Sequence, residues 1–376
     1  MVQTIKVVPV LTRRDRALFM GLPDRLHAGD PLYVAPLMAH RREMLDCARN
    51  PYFCHAEVAL FLAWRHGQPV GRVSAQIDHN AVERHGPVGH FGLLAAEDDD
   101  VVAALMGAVE RFLAARGMAR LLGPFNLSIN QEAGLLVDGR DTPPFMLTPH
   151  DLPHLGPALE GLGYGKARDL LAYAVPVDET PTPLARRLAG LPAGRLTLRP
   201  FRLGDLTAEI IRALGVFNDA WRDNWGFVPL TEDEMRALAV SLRPLLDERM
   251  TCFAEMDGEP VGMIIALPDL NEAIRGLKGR LMPLGWAKAL WRLKIKGLKG
   301  ARVPLMGVRR DVAGSALGAA IPFAMVEAVR PHLRAQGYRR VEMSWILEDN
   351  LPMRRMAEAV GGVMSKRWRL YERALQ

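Results

Sequence analysis

The feature that most constrains this chain is that it repeats itself. Gly67-Gln68-Pro69-Val70-Gly71 recurs as Gly258-Glu259-Pro260-Val261-Gly262, each time between two apolar runs. The runs at 58–64 and 70–77, and again at 251–256 and 261–267, flank a Gly-bearing turn and predict a β-hairpin in each half. Downstream, a helix-period run carrying Val101, Leu105, Val109 and Phe112 ends at Gly117 and leads into an apolar segment at 118–122. Its counterpart at 323–335 ends at Gly337 and leads into 338–343, so helix, C-terminal glycine and strand is the reading of both. Glu160, Gly163 and Tyr173 then match Glu358, Gly361 and Tyr371 at a constant offset of 198 residues. A supersecondary pattern repeated in one order fixes architecture before any single motif does.

Two similar α/β units follow, at 1–177 and 195–376, each closing on a strand that carries a tyrosine. Residues 178–194 hold Pro181, Pro183 and Pro192 and read as a linker. Matching the halves also locates an insertion: Gly67 to Gly117 spans 50 residues and Gly258 to Gly337 spans 79, a surplus of 29. The surplus falls on 273–302, which contains nine basic residues and no acidic one. The whole chain carries a net charge of +6, yet without that segment 39 basic residues face 42 acidic ones. The basic character therefore belongs to the insertion, and a partner argued from charge is a partner of that segment.

Cys47, Cys54 and Cys252 are too few for a disulfide framework and lack zinc-knuckle spacing, which favours a reducing compartment. No signal-peptide pattern or 20-residue apolar run is present, so a cytoplasmic location is expected. No metal is expected either. His150 and His154 are four residues apart, but Pro153 interrupts the helix that would align them.

Within the insertion, a helix over 283–299 aligns Leu284, Ala287, Trp291, Ile295 and Leu298 on one stripe, with Lys288, Arg292, Lys296 and Lys299 beside it and Trp286 off it. Trp and Leu next to an all-basic flank suit the headgroup region of anionic lipid, which predicts a peripheral membrane contact. A helix packed on the protein with a solvated basic edge is the plainer reading. Nucleic acid is the less favoured partner, although Lys and Arg bind phosphates of any origin.

In the second half, Met306-Gly307-Val308-Arg309-Arg310 reads as a strand and Ala313-Gly314-Ser315-Ala316-Leu317-Gly318 as the next helix start, with Asn350 and Gly361 in the last helix unit. This order of elements resembles the GNAT superfamily of acyl-CoA-dependent N-acyltransferases. The resemblance implies two tandem GNAT-like units of the α/β class, each a mixed, mostly antiparallel sheet flanked by helices. Across the full length, Asn50-Pro51-Tyr52-Phe53, His55-Ala56-Glu57, Gly123-Pro124-Phe125-Asn126, Asn130-Gln131-Glu132-Ala133-Gly134, Asn218-Asp219-Ala220-Trp221, Leu267-Pro268-Asp269-Leu270-Asn271 and Glu348-Asp349-Asn350 are similar to a bacterial tandem-GNAT family that includes ceramide synthases.

The resemblance implies an acyl-CoA co-substrate whose pyrophosphate lies on the backbone amides of 313–318, with Arg309, Arg310 and Asn350 nearby. An acyl carrier protein presents the same phosphopantetheine thioester. Orphan N–H groups and the helix dipole make such a loop an anion site, although Ala313 and Ala316 depart from the family's Arg/Gln-x-x-Gly-x-Gly/Ala pattern. Glu97 to Asp100 stand at the matching place in the first half and would repel phosphate, so only the second half is expected to hold the donor.

Amide formation needs a base for the amine and donors for the tetrahedral oxyanion. The resemblance offers backbone amides near Gly307 and Val308 as the donors. Glu348 and Asp349, at the carboxyl end of a strand, are candidate bases, and Asp269 is a further catalytic candidate. The family's usual general-acid tyrosine falls on Ala357, which leaves Tyr371, water or the amine's own proton to protonate the thiolate. Asn126, Asn130, Glu132 and Asn271 are candidate acceptor-binding residues; Asn-rich turns also satisfy their own backbone. Two classes of function stay open. One is an enzyme acylating a long-chain, sphingoid-type amine at the inner face of the cytoplasmic membrane, or a soluble amine from acetyl-CoA or aminoacyl-tRNA. The other is a non-catalytic binder of membrane or nucleic acid.

Overall fold

The computed structural model describes residues 4–178, 181–190 and 196–375. The chain forms two compact units: Met1–Leu170 with Arg275–Arg280 and Lys366–Gln376, and Leu171–Ile274 with Leu281–Ser365. The first holds strands β1 (Lys6–Pro9), β2 (Ala56–Arg65), β3 (Gln68–Asp78), β4 (Val88–Ala96), β5 (Arg120–Gly123), β6 (Phe125–Asn126), β7 (Glu132–Ala133) and β8 (Leu135–Asp138). After β9 (Gly165–Pro176), the second holds β10 (Leu196–Arg199), β11 (Thr251–Met256), β12 (Glu259–Pro268), β13 (Gly300–Val308) and β14 (Arg340–Leu347), and the chain ends on β15 (Val363–Ala374).

The repeat in the sequence is a repeat in geometry. β2 and β3 turn at His66 and Gly67 (φ 50° and 72°), and β11 and β12 turn at Asp257 and Gly258 (φ 52° and 86°). Two successive positive φ angles make the tight turn whose twist matches an antiparallel ribbon, which is why each hairpin needs a glycine there. In the first unit β1-β2-β3-β4-β5-β15 lie side by side, and in the second residues 171–176 of β9 precede β14-β13-β12-β11-β10. Parallel pairing occurs between β4 and β5 over Val88–His90 and Arg120–Leu122, and between β13 and β14 over 300–303 and 340–343. Each parallel register is short, and the strands separate beyond it.

Both faces of each sheet are covered. In the first unit the helix Asp99–Ala114 packs Val101, Leu105 and Val109 on one face, and Phe19, Leu22 and Tyr52 cluster on the other. In the second, Ile321, Met325 and Val329 of the helix Ala316–Ala335 and Ile210, Ala213 and Phe217 of the helix Leu206–Ala220 play the same parts. Gly117 and Gly337 follow the matching helices at φ 77° and 80°. The expected α/β architecture of mixed, mostly antiparallel sheets between helices is the one observed.

The closing strands are exchanged. Tyr371 lies in the first unit and donates to Glu160 (3.1 Å), whereas Tyr173 lies in the second and donates to Glu358 (3.2 Å). Each tyrosine thus pairs with the glutamate of the other sequence half. Of the expected linker at 178–194, residues 179–180 and 191–194 lie outside the described residues. Between them Thr182 caps the helix Pro183–Ala189, whose Ala185 is buried in the core of the second unit.

Candidate active site

In the second unit β13 lies against β12 along its whole length but against β14 only through residue 303. Antiparallel pairing alternates, and Arg309 donates to Val261 O (2.7 Å), so the Gly307 amide also turns to β12 while those of Met306 and Val308 turn to the side that β14 leaves. Gly307 has a packing reason of its own. A Cβ there would lie 2.4 Å from the Trp221 ring. The strand leads into a short helix Arg310–Ala313, then Ser315, the N-cap of Ala316–Ala335. Ser315 Oγ accepts from Gly318 N (2.9 Å) and donates to Val312 O (2.7 Å). Ala313, Gly314, Ser315 and Ala316 are exposed, Leu317 is half-buried, and Gly318 is buried where a Cβ would meet Val312 O at 2.1 Å. This leaves a small-residue loop and an exposed helix start, the arrangement that receives an anion. Arg310 is engaged by Asp219 and Asp223, and Arg309 by Asp311.

The first unit differs at the matching point. Asp98 caps the helix Asp99–Ala114 through Val101 N (3.1 Å) and takes two bonds from Arg65 (2.6 and 2.9 Å). Those bonds hold the Asp98 carboxyl below its ordinary pKa. A carboxylate already sits on that helix terminus, where the second unit has a neutral hydroxyl.

Glu348 is half-buried and Asp349 exposed in the turn after β14. Arg354 holds this turn through Glu348 O (2.8 Å), and Asn350 caps the next helix by accepting from Met353 N (3.1 Å). Asp269 is buried, and its carboxylate accepts from Asn271 N (3.2 Å) at the start of the helix Leu270–Ile274. A network the sequence reading missed lies at the foot of the β13–β14 separation. Arg302 and Glu342 are register partners, both buried, and Arg302 donates to Ser344 Oγ (2.9 Å), which donates to Glu342 (2.8 Å). Two opposite charges interrupting apolar strand runs were the available signal.

Asn126 and Glu132 are brought together in the first unit. Asn126 Nδ2 donates to Glu132 (2.7 Å), and its Oδ1 accepts from Leu93 N (2.8 Å), a residue at φ 49° where β4 has left β5. Asn130 N donates to Ser128 Oγ (3.1 Å) in the same loop. Tyr371 is buried, with its hydroxyl committed to Glu160.

In the insertion, an α-helix Gly285–Trp291 continues as π-helix Arg292–Lys296 and stops at Gly297. The wider π turn and the stop change the expected stripe. Met282, Leu284, Trp286, Leu290, Trp291 and Ile295 are exposed, with Leu284 and Ile295 at 73% and 75%. Lys288, Lys294 and Lys296 are exposed among them. Leu298, expected on the apolar stripe, is instead buried in the protein, Lys299 turns to Gly337 O, and Arg292 donates to Ala273 O (2.9 Å). No described helix is long and apolar enough to cross a membrane.

No protein-family model matches the chain. Over 378 residues it is 49% identical to the "Bacterial ceramide synthase" of Caulobacter vibrioides (strain NA1000 / CB15N), covering 99% of this chain and 98% of that protein. The chain belongs to the bacterial ceramide synthase family. It is an N-acyltransferase. It is also 42% identical over 368 residues to "Protein YghO" of Escherichia coli (strain K12), covering 97% of this chain and 94% of that one. Among solved structures it resembles a tandem GNAT protein from the clavulanic acid biosynthesis pathway (TM-score 0.56, 16% identity, 99% of both chains). A GCN5-related N-acetyltransferase from Sphaerobacter thermophilus is as similar (TM-score 0.56, 14% identity, 99% and 96%). For this family member the tandem GNAT fold is thus the fold of both units.

Proposed function

We propose that the chain joins the acyl group of a long-chain acyl-CoA to the amine of a sphingoid-type base, producing a ceramide-like amide at the inner face of the cytoplasmic membrane. The observation that carries this reading is the 49% identity, over nearly all of both chains, to a protein named for that synthesis. The exposed start of the helix Ala316–Ala335, with its neutral Ser315 cap, supports a pyrophosphate site in the second unit. The thioester carbonyl then lies beside β13, where the Val308 amide offers a hydrogen bond to the developing oxyanion. The neutral amine attacks the carbonyl carbon, the C–S bond breaks, the amine's proton passes to a base, and the thiolate leaves as CoA. Glu348 and Asp349 are the base candidates at the strand end. An acyl carrier protein would deliver the same thioester.

Incubation of purified protein with palmitoyl-CoA and sphinganine is expected to release CoA and form the amide, detected by mass spectrometry. No amide with any chain length from acetyl to stearoyl would remove the reading.

The insertion supports the membrane part. Exposed Trp286, Leu290, Trp291 and Ile295 among exposed lysines combine apolar burial with attraction to anionic headgroups. Burying an Ile side chain contributes about 1.5–3 kcal/mol. Ile295→Asp is therefore expected to weaken binding to phosphatidylglycerol vesicles at least tenfold in a flotation assay, with the unfolding transition unmoved. Equal flotation of both proteins would mean that this helix does not dock.

A further inference from the structure

The first unit contains a cluster that the proposed reaction does not use. His27 ends the helix Arg13–Leu26, Asp30 lies in the turn after it, and His150 comes from a loop 120 residues beyond Asp30. Their three ligand-capable atoms all lie within 4.8 Å of one another. Asp30 Oδ2 is 2.7 Å from His150 Nε2 and 3.9 Å from His27 Nδ1. Both imidazoles are buried, with side-chain exposures of 4% and 5%. The Nδ1 atoms of both have no hydrogen-bond partner among the described residues. Leaving one such nitrogen buried and unsatisfied costs about 1–3 kcal/mol. That of His27 faces Asp30 Oδ2 from 3.9 Å, beyond hydrogen-bond reach, whereas that of His150 lies on the ring edge away from the carboxylate that its Nε2 meets.

A hydrogen-bonded His–Asp pair explains His150 but not His27. We propose that His27, Asp30 and His150 form a binding site for a borderline divalent cation of the zinc type. Tetrahedral ligands at about 2.0–2.2 Å from the ion stand roughly 3.4 Å apart, between the two separations observed here. Two imidazoles and a single carboxylate favour zinc-type ions over magnesium or calcium, which take oxygen ligands. Three protein ligands leave a fourth position for water or a further ligand.

The surroundings fit. Tyr33 stacks on His27 at 4.2 Å, which fixes the ring, and Asp30 Oδ1 accepts from Leu32 N (2.8 Å), which leaves Oδ2 for the site. The His150 loop is tied down by Trp368, which donates to Pro149 O (3.0 Å). The nearby cations donate elsewhere: Arg72 to the carbonyl of Phe19, Arg140 to those of Asp151 and Leu136, and Lys366 to those of Gly139 and Thr142. The sequence offered no local motif because the ligands come from two distant segments.

The test is binding of zinc by the full chain, independent of acyl transfer. Protein stripped with chelator and titrated with Zn²⁺ is expected to take up one equivalent, and its unfolding temperature to rise with free zinc. Cobalt(II) in place of zinc is expected to give the visible absorption of a tetrahedral site. Asp30→Asn, nearly isosteric, and His150→Gln should each abolish the stoichiometric uptake and the cobalt bands while circular dichroism stays unchanged. Absence of uptake by the native chain, or uptake that persists in both variants, overturns the proposal. An Asn variant that fails to fold leaves His27→Gln and His150→Gln to decide between those two outcomes. Because uptake is read without substrate, failure of the amide assay does not bear on it.

Discussion

Ser315→Asp is expected to raise the KM for acyl-CoA about thirtyfold while leaving the protein as stable as before. The two halves of that expectation have separate causes. Aspartate is as good an N-cap as serine, since its carboxylate can accept from Gly318 N as Ser315 Oγ does, and its charge suits the positive end of the dipole. The lost donation to Val312 O works the other way, so the net change is within about 0.5 kcal/mol. The pyrophosphate, however, would meet a negative charge on the atoms it needs. At an exposed site, two like charges about 5 Å away at an effective dielectric near 60 give about 2 kcal/mol, or roughly thirtyfold in affinity. The effect should shrink as salt is raised, because exposed charges are screened. Chemical denaturation and initial rates against acyl-CoA concentration check the two parts. An unchanged KM would mean that the donor's phosphates do not lie on this helix. The first unit already contains the same experiment, with Asp98 at the matching terminus.

What the sequence made legible was local. The hairpin turns at His66-Gly67 and Asp257-Gly258 and the helix ends at Gly117 and Gly337 are each decided by a positive φ that glycine supplies, so they show in a repeat of five to fifteen residues. The small-residue loop at 313–318 was legible locally too, through close approach rather than a positive φ: Gly314 has φ −74°, and a Cβ on Gly318 would meet Val312 O. Contacts made across the fold were not. Nothing in the spacing of Glu160, Tyr173, Glu358 and Tyr371 says that the tyrosines trade glutamates, because both pairings satisfy the same repeat. Arg302 and Glu342 are 40 residues apart and meet through a parallel register that no local pattern encodes. The insertion was legible as a basic helix but not in phase. An ideal 100° wheel puts Leu298 on the apolar stripe, whereas the π turn at Arg292–Lys296 and the break at Gly297 carry Leu298 inward.

Gly92→Ala is expected to destabilise the first unit by about 4 kcal/mol, while Gly107→Ala, the same change 15 residues on, should stabilise it slightly. Gly92 lies on β4 opposite Ser74 of β3. A Cβ there would fall 1.6 Å from Phe125 O and 2.5 Å from Phe125 C. Those are main-chain atoms of β6, and no rotamer can move them. The neighbouring hydrogen bonds make the shift expensive: Gln76 donates to Phe125 O (3.1 Å), and Asn126 accepts from Leu93 N while donating to Glu132. Displacing Phe125 therefore disturbs three polar bonds, one buried and two partly buried, each worth about 1 kcal/mol, on top of the overpacking itself, about 1–3 kcal/mol. At Gly107, inside the helix Asp99–Ala114, the one atom beyond the helix backbone that an added methyl would meet among the described residues is the end of the flexible Arg111 side chain at 3.4 Å. There the gain is the helix propensity of alanine over glycine, about 0.5–1 kcal/mol. Scanning calorimetry should show the opposite signs directly: at about 2–4 °C per kcal/mol for a unit of this size, a fall of roughly 8–16 °C against a rise of a few degrees. If Gly92→Ala unfolded no lower than the native chain, β4 and β6 could not lie against each other as they do here. The wedge that separates β4 from β5, and with it the placement of Asn126 and Glu132, would then need another geometry.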